Sequence, residues 1–402
     1  MGIVERYLEL GLRLGRHVDG LVDAYIGPPE LAEAVEQEQL RDPAALVVDA
    51  AELLTDLDDA TGLDEQRRGW LQDQVAGLHT YASVLAGEQL DYSDEVERCY
   101  GVRPERVPED AFGAAHDEFE RLLPGDGSLE DRYEAWRIAN AAPPERILDV
   151  MRPVLALLRE RTQAIVELPA DEEFALELVS DEPWAAFNYY LGGHRSRIVV
   201  NTDLPLTPAE LVVLAAHEGY PGHHTEHSVK EKVLLEGRGQ LEESLQLVPT
   251  PQALLSEGIA EAGTELLAGE EISAELTAIF RAAGVRFDAE ESRQVAAARK
   301  ALSAVVPNAA IMIHEDGLSV EEAQAYVSQW ALVPDYRAER MVSFVVDPTW
   351  RAYVTTYTEG LRLCRAFVGG DLGAFRRLLT EQVRVGELLA AADGDAAVSS
   401  GP

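Results

Sequence analysis

Thr207-Pro208-Ala209-Glu210-Leu211-Val212-Val213-Leu214-Ala215-Ala216-His217-Glu218-Gly219-Tyr220-Pro221-Gly222-His223-His224 is the stretch on which both the architecture and the chemistry of this chain turn. It opens as a helix start, with Thr207 at the N-cap, Pro208 at the first helical position and Glu210 placed to return a hydrogen bond to the cap. The apolar run Leu211–Ala216 predicts a helix buried on most sides, which carries His217 and Glu218 into the interior. A buried imidazole and carboxylate without partners are costly, so something must compensate them. Imidazole nitrogens are common ligands of borderline-soft divalent metals, and four of the nine histidines fall within residues 217–227.

The familiar zinc helix places two histidines four apart on one face, with a glutamate after the first. Here the fourth position is Pro221, followed by Gly222, and the next histidines are His223 and His224. Pro221 cannot donate to the carbonyl of His217 and its ring crowds that turn, so the helix must kink, bulge or restart there. In a straight helix His224 shares the face of His217; with a two-residue bulge His223 takes the second ligand position. The spacing leaves both open.

A third ligand is expected from another element, and Leu254-Leu255-Ser256-Glu257-Gly258-Ile259-Ala260-Glu261 supplies it best. Glu257 stands in an otherwise apolar helical run, where an unpaired carboxylate is costly. Glu261 lies one turn later on the same face, as a partner behind a ligand or a substitute for one. Two histidines and one carboxylate leave a coordination position for water, as catalytic zinc requires, and one Zn²⁺ ion is the expected cofactor.

Around this stretch the chain reads as mostly α, a multi-helical cleft protein with one small β-sheet just before the metal-binding helix. Periodicity predicts helices over 4–17, 45–57, 66–85, 109–123 and 144–165, with Pro153 as a possible kink in the last. Residues 174–178, 186–191 and 197–202 read as strands, from their alternation and their aromatic and β-branched content. The expected organisation is a helical region 1–165, packed as one unit with a region 166–390 that holds the sheet and the metal site. A flexible tail over 391–402 completes it.

The chain has 402 residues, 34 Lys plus Arg against 72 Asp plus Glu, and a formal net charge of -38. That charge repels phosphate backbones and anionic lipid surfaces, so neither nucleic acid nor a membrane is an expected partner. Two widely spaced cysteines, Cys99 and Cys364, indicate neither a disulfide framework nor a thiolate zinc site. Glu5 and Glu9 interrupt the apolar residues of the first twenty, which do not read as a signal peptide, and a cytoplasmic location is the expectation.

His217-Glu218-x-x-Pro221-Gly222-His223, followed about thirty residues on by Glu257-Gly258-x-Ala260, resembles the bacterial family called domain of unknown function 885. Segments at 22–29, 201–205, 314–323 and 348–360 extend the resemblance over nearly the whole chain. The family's members are similar to zinc metallopeptidases of the gluzincin type. The resemblance therefore implies His217, His223 and Glu257 as zinc ligands, favours His223 over His224, and implies Glu218 as the general base. Ile259, Ala262 and Ala310 depart from the family's pattern in the surroundings of the site. The resemblance also implies an edge strand beside the metal helix that pairs with an extended peptide, and residues 197–201 are placed to be that strand.

Downstream, His314 ends an apolar helical run and Tyr357 begins a Tyr-x-x-Gly match to the family. Either suits a developing oxyanion, with Glu218 completing the expected catalytic set. Asn201, Arg340 and Tyr353 are the candidate substrate-binding residues, since Arg suits a carboxylate and Tyr a tetrahedral intermediate. The plainer reading of His314 is a satisfied core histidine, and of Tyr353 and Arg340 packing and surface pairing. The function expected is hydrolysis of an amide in a short peptide. A non-haem iron oxygenase with the same two histidines and carboxylate, or an inactive metal-binding scaffold, are the alternatives.

Overall fold

Amphipathic helices account for most of the chain in the computed structural model, which describes residues 2–182 and 184–399. Ile3–Gly15, Pro43–Asp58, Glu65–Leu85 and Glu109–Leu122 turn their apolar stripes inward, as the periodicity predicts. Asp42 and Asp64 cap the second and third of these through first-turn N–H groups. Pro153 sits inside Ile147–Gln163, which follows a 3₁₀ turn at Pro144–Arg146. The terminal segment expected to be flexible is helical as far as Ser399, within Val385–Ser399, and residues 400–402 lie outside the described residues. No described helix is long and apolar enough to cross a membrane.

Five strands occur among the described residues: β1 (Val22–Tyr25), β2 (Glu173–Val179), β3 (Ala186–Gly192), β4 (Arg195–Asn201) and β5 (Leu245–Leu247). β2, β4 and β3 form one sheet in that order, parallel then antiparallel. This corrects the placement of residues 197–201. They lie on the central strand, whose backbone groups are engaged on both sides, and the edges are β2 and β3.

A second sheet, β1 with β5, lies outside the sequence expectation. Its strands of four and three residues are too short to show a period. They pair across most of the chain's length and pack on the first helix, where a side chain at Gly11 would collide with Leu245 and Leu247. The register breaks between Val22 and Ala24, so Asp23 occupies an irregularity in β1. Such bulges re-aim one side chain.

Three buried clusters hold the molecule together, and none is confined to one side of residue 165. One joins residues 7–82 to Leu245 and Leu247, a second joins Phe112–Tyr133 to Val295–Val342, and the largest runs from Tyr92 to Leu388. Within the largest, Pro251–Leu267 and Thr355–Val368 cross at Gly258 and Gly360. A Cβ at either glycine would overlap backbone of the other helix, so only glycine permits this approach.

Candidate metal centre

The capping box at Thr207 forms as the sequence predicts: Glu210 N–H donates to Thr207 Oγ1 at 3.3 Å, and Thr207 N–H to Glu210 Oε2 at 2.7 Å. The helix Pro208–Leu214 then widens into a π turn over Ala215–Gly219, closed by N–H groups of Tyr220 and Gly222 on the carbonyls of Ala215 and Ala216. Extended backbone at Tyr220 ends it, and a new helix, His223–Lys230, starts with Gly222 at its N-cap. The crowding expected at Pro221 is thus relieved by a bulge and a restart together. A Cβ at Gly222 would overlap the carbonyl oxygen of His217, so the joint between the two histidine-bearing helices admits no side chain there.

This joint and the Pro251–Leu267 helix bring three ligand groups to one point. His217 Nε2 and His223 Nε2 are 3.1 Å apart, His217 Nε2 is 3.3 Å from Glu257 Oε2, and His223 Nε2 is 3.8 Å from Glu257 Oε1. Ligands at 2.0–2.1 Å from a tetrahedral zinc stand about 3.3 Å from each other, so the spacing fits one ion. Glu257 is 5% exposed, and its Oε2 is buried without a hydrogen-bond partner. An orphaned carboxylate oxygen aimed at two imidazoles fits a cation there. Burial opposes ionisation of Glu257, yet the two histidines and Tyr353 hold it below the usual carboxylate range. Burial likewise opposes a charge on His217, and Glu257 and Glu261 outweigh it.

Each ligand is held from behind. Tyr353 donates to Glu257 Oε1 at 2.6 Å, and Glu261 Oε1 lies 3.5 Å from His217 Nδ1, one turn along from Glu257. His223 Nδ1 contacts Ser256 Oγ at 3.2 Å; Ser256 donates to Glu226 at 2.6 Å, and Glu226 pairs with the buried Lys230 at 2.7 Å. Tyr353, expected at the substrate, thus spends its hydroxyl on fixing the Glu257 carboxylate. Ser256 and Glu226 were not anticipated, since a serine and a glutamate carry no signal of their own until the helices are packed.

Glu218 is 6% exposed, and Asn188 of the edge strand β3 donates to its carbonyl oxygen at 2.6 Å. Burial raises its carboxyl above the ordinary range; the two histidines pull it down and Glu257 pushes it up. Asp23 and Tyr357 keep contact with solvent, Tyr357 being 39% exposed. Burial raises Asp23 to about 6, with His223 opposing and Glu257 and Glu218 adding, so Asp23 lies within electrostatic reach of the centre. Burial and then Glu257 and Glu218 keep the Tyr357 hydroxyl protonated. Asp23 was missed as a site residue because its place depends on a pairing between distant short strands.

Four predicted residues lie elsewhere in role. His224 is fully buried between Ser196 Oγ, at 2.8 Å from its Nδ1, and Glu172 Oε2, at 2.9 Å from its Nε2, which leaves no free nitrogen for a metal. His314 stacks on Tyr92 with ring centroids 5.1 Å apart and donates from Nε2 to the carbonyl of Val345 at 2.7 Å. Its charged neighbours are Arg351 and Glu95, not the carboxylates of the centre. Asn201 Nδ2 donates to the carbonyls of Glu182 and Trp184, and its Oδ1 accepts from the Asp203 N–H. Arg340 donates to the same Glu182 carbonyl at 2.7 Å. Asn201 and Arg340, expected at the substrate, brace the β2–β3 connection.

No family model matches the chain, and no curated protein does. Among solved structures it is similar to a candidate lipoprotein from Colwellia psychrerythraea, with a TM-score of 0.52 and 14% identity over 88% of this chain and 66% of that one. It is also similar to a candidate lipoprotein of unknown function from Shewanella oneidensis, with a TM-score of 0.48 and 15% identity over 89% of this chain and 75% of that one. The chain spans just under two thirds of the Colwellia psychrerythraea protein, and that likeness is one of fold alone.

Proposed function

We propose that the chain is a zinc-dependent hydrolase that cleaves amide bonds in short peptides, a reading that keeps its resemblance to the domain of unknown function 885 family. The supporting observation is the meeting of His217, His223 and Glu257 at 3.1–3.8 Å beside the buried Glu218. These three residues would hold one ion, which when bound supplies a Lewis acid that acidifies water and polarises a carbonyl.

Glu218 takes the proton of the attacking water as its oxygen bonds to the amide carbon. It then passes that proton to the leaving nitrogen as the C–N bond breaks. Tyr357, protonated and open to solvent, donates to the carbonyl oxygen as negative charge develops on it. Tyr353 and Glu261 keep Glu257 and His217 in position. The extended peptide lies along the β3 edge, and a cytoplasmic setting, checked by cell fractionation, belongs to the same proposal.

Metal analysis and a mixed peptide library, applied to the native chain and to Glu218→Gln, test it. The variant is expected to keep one equivalent of metal and to lose cleavage by about 10²–10⁴-fold. Undiminished cleavage by the variant, or a native chain that binds no metal, overturns it.

A further inference from the structure

A second group of metal-ligating side chains lies at the β3–β4 turn, outside the centre already described. Gly192, Gly193 and His194 all have left-handed backbone, with φ of 73°, 61° and 58°. A histidine there is strained where glycine is not, so its conformation has to be held by its surroundings. Glu231 holds it. Its Oε1 accepts the Gly193 N–H at 3.0 Å, and its Oε2 accepts the His194 N–H at 3.2 Å together with the Tyr190 hydroxyl.

His194 is 3% exposed. Its Nδ1 donates to Asp171 Oδ1 at 3.0 Å, which leaves Nε2 as the ring nitrogen open to a ligand. That Nε2 is buried without a hydrogen-bond partner and lies 3.6 Å from Glu236 Oε1. Ligand atoms of His194, Glu231 and Glu236 all fall within 4.8 Å of one another. Lys232 pairs with the other oxygen of Glu236 at 2.9 Å, so Oε1 stays turned toward the histidine.

The backbone makes this meeting possible. Glu231–Glu236 is a π-helical turn. In an α-helix residues five apart face about 140° away from each other, and the wider turn brings Glu236 back toward Glu231.

We propose that His194, Glu231 and Glu236 form a second divalent-metal site, with Asp171 orienting the histidine. An imidazole ligand with two carboxylates selects an ion of the zinc, cobalt or manganese class over calcium or magnesium. A carboxylate on the far nitrogen is the usual support of a metal-bound histidine. The ion ties the β3–β4 turn to the helix that begins at His223. Tyr190, which donates to Glu231, lies tilted against His227 with centroids 5.1 Å apart, and His227 stacks on His223 at 6.0 Å. The site therefore braces the strand and helix that flank the first centre, and it stands independently of the function proposed above.

The test is zinc titration of metal-stripped protein, with stoichiometry and melting temperature read for the native chain, Glu257→Gln, His194→Gln and the milder Glu236→Gln. Expected are two equivalents for the native chain and one for each single variant, with a zinc-induced rise in melting temperature that persists in Glu257→Gln. Zinc bound by Glu257→Gln and lost from folded Glu236→Gln supports the second site even if the first binds nothing. Glu236→Gln with the stoichiometry of the native chain, or a Glu257→Gln variant that binds no zinc, overturns the proposal.

Discussion

His223 and His224 are neighbours in sequence and opposites in environment. Successive helical residues point about 100° apart, so only one of them can face His217. His223 does, while His224 locks Ser196 to Glu172 behind the sheet. At this scale the centre also depends on a single hydroxyl, that of Tyr353 on Glu257. Removal of such a supporting bond typically weakens metal binding about 10–100-fold. Tyr353→Phe is therefore expected to bind zinc that much more weakly in a chelator competition, with its fold unchanged by circular dichroism. Equal affinity would mean that Tyr353 packs without orienting the ligand.

Elements rather than residues set the distance between the ligand-bearing helices. The π turn at Ala215–Gly219 and the bare backbone at Gly222 let one helix stop and another begin within hydrogen-bonding distance. The crossing at Gly258 and Gly360 sets Thr355–Val368, which carries Tyr357, close against the helix that carries Glu257. Alanine at Gly258 gains up to about 1 kcal/mol of helix propensity but meets backbone that cannot yield, which costs about 1–3 kcal/mol or more. Gly258→Ala is thus expected to lower the unfolding free energy in urea and to weaken zinc binding. Gly113→Ala, with open space around it in Glu109–Leu122, is expected to raise the unfolding free energy by about 0.5–1 kcal/mol. A stabilised Gly258→Ala would show that the two helices can part.

Across the whole molecule, folding buries acidic groups that a chain of net charge -38 has in excess. Glu243 is 4% exposed with an unpartnered Oε2, and burial lifts its carboxyl from 4.5 to about 7, against the pull of Lys230. The native state then holds a proton that the unfolded chain releases, so stability falls as pH rises from 4.5 through about 7. The rise corresponds to roughly 3 kcal/mol as an upper figure. Glu243→Gln is expected to melt higher than the native chain at pH 8 and at the same temperature near pH 4.5. An equal difference at both values would remove the proton linkage from the explanation.

The helices, the cap at Thr207, the sheet before the helix that carries His217, and the placing of His217, Glu218 and Glu257 in buried helices were legible because each is written locally, in period, cap chemistry or a charge set among apolar neighbours. The β1–β5 pair, Asp23, Ser256 and the true edge strand were not, since each exists only through contact between segments far apart in the chain. His314, Asn201 and Arg340 had suitable chemistry, but their hydrogen bonds are used on nearby backbone.

By itself, then, the sequence determined a mostly helical chain with His217, Glu218 and Glu257 set among apolar neighbours, because hydrophobic period and the expense of buried charge act residue by residue. Only the tertiary structure decided which histidine faces His217, which strand stays at the edge and what supports each ligand, because helix phase and packing distance are properties of elements in contact.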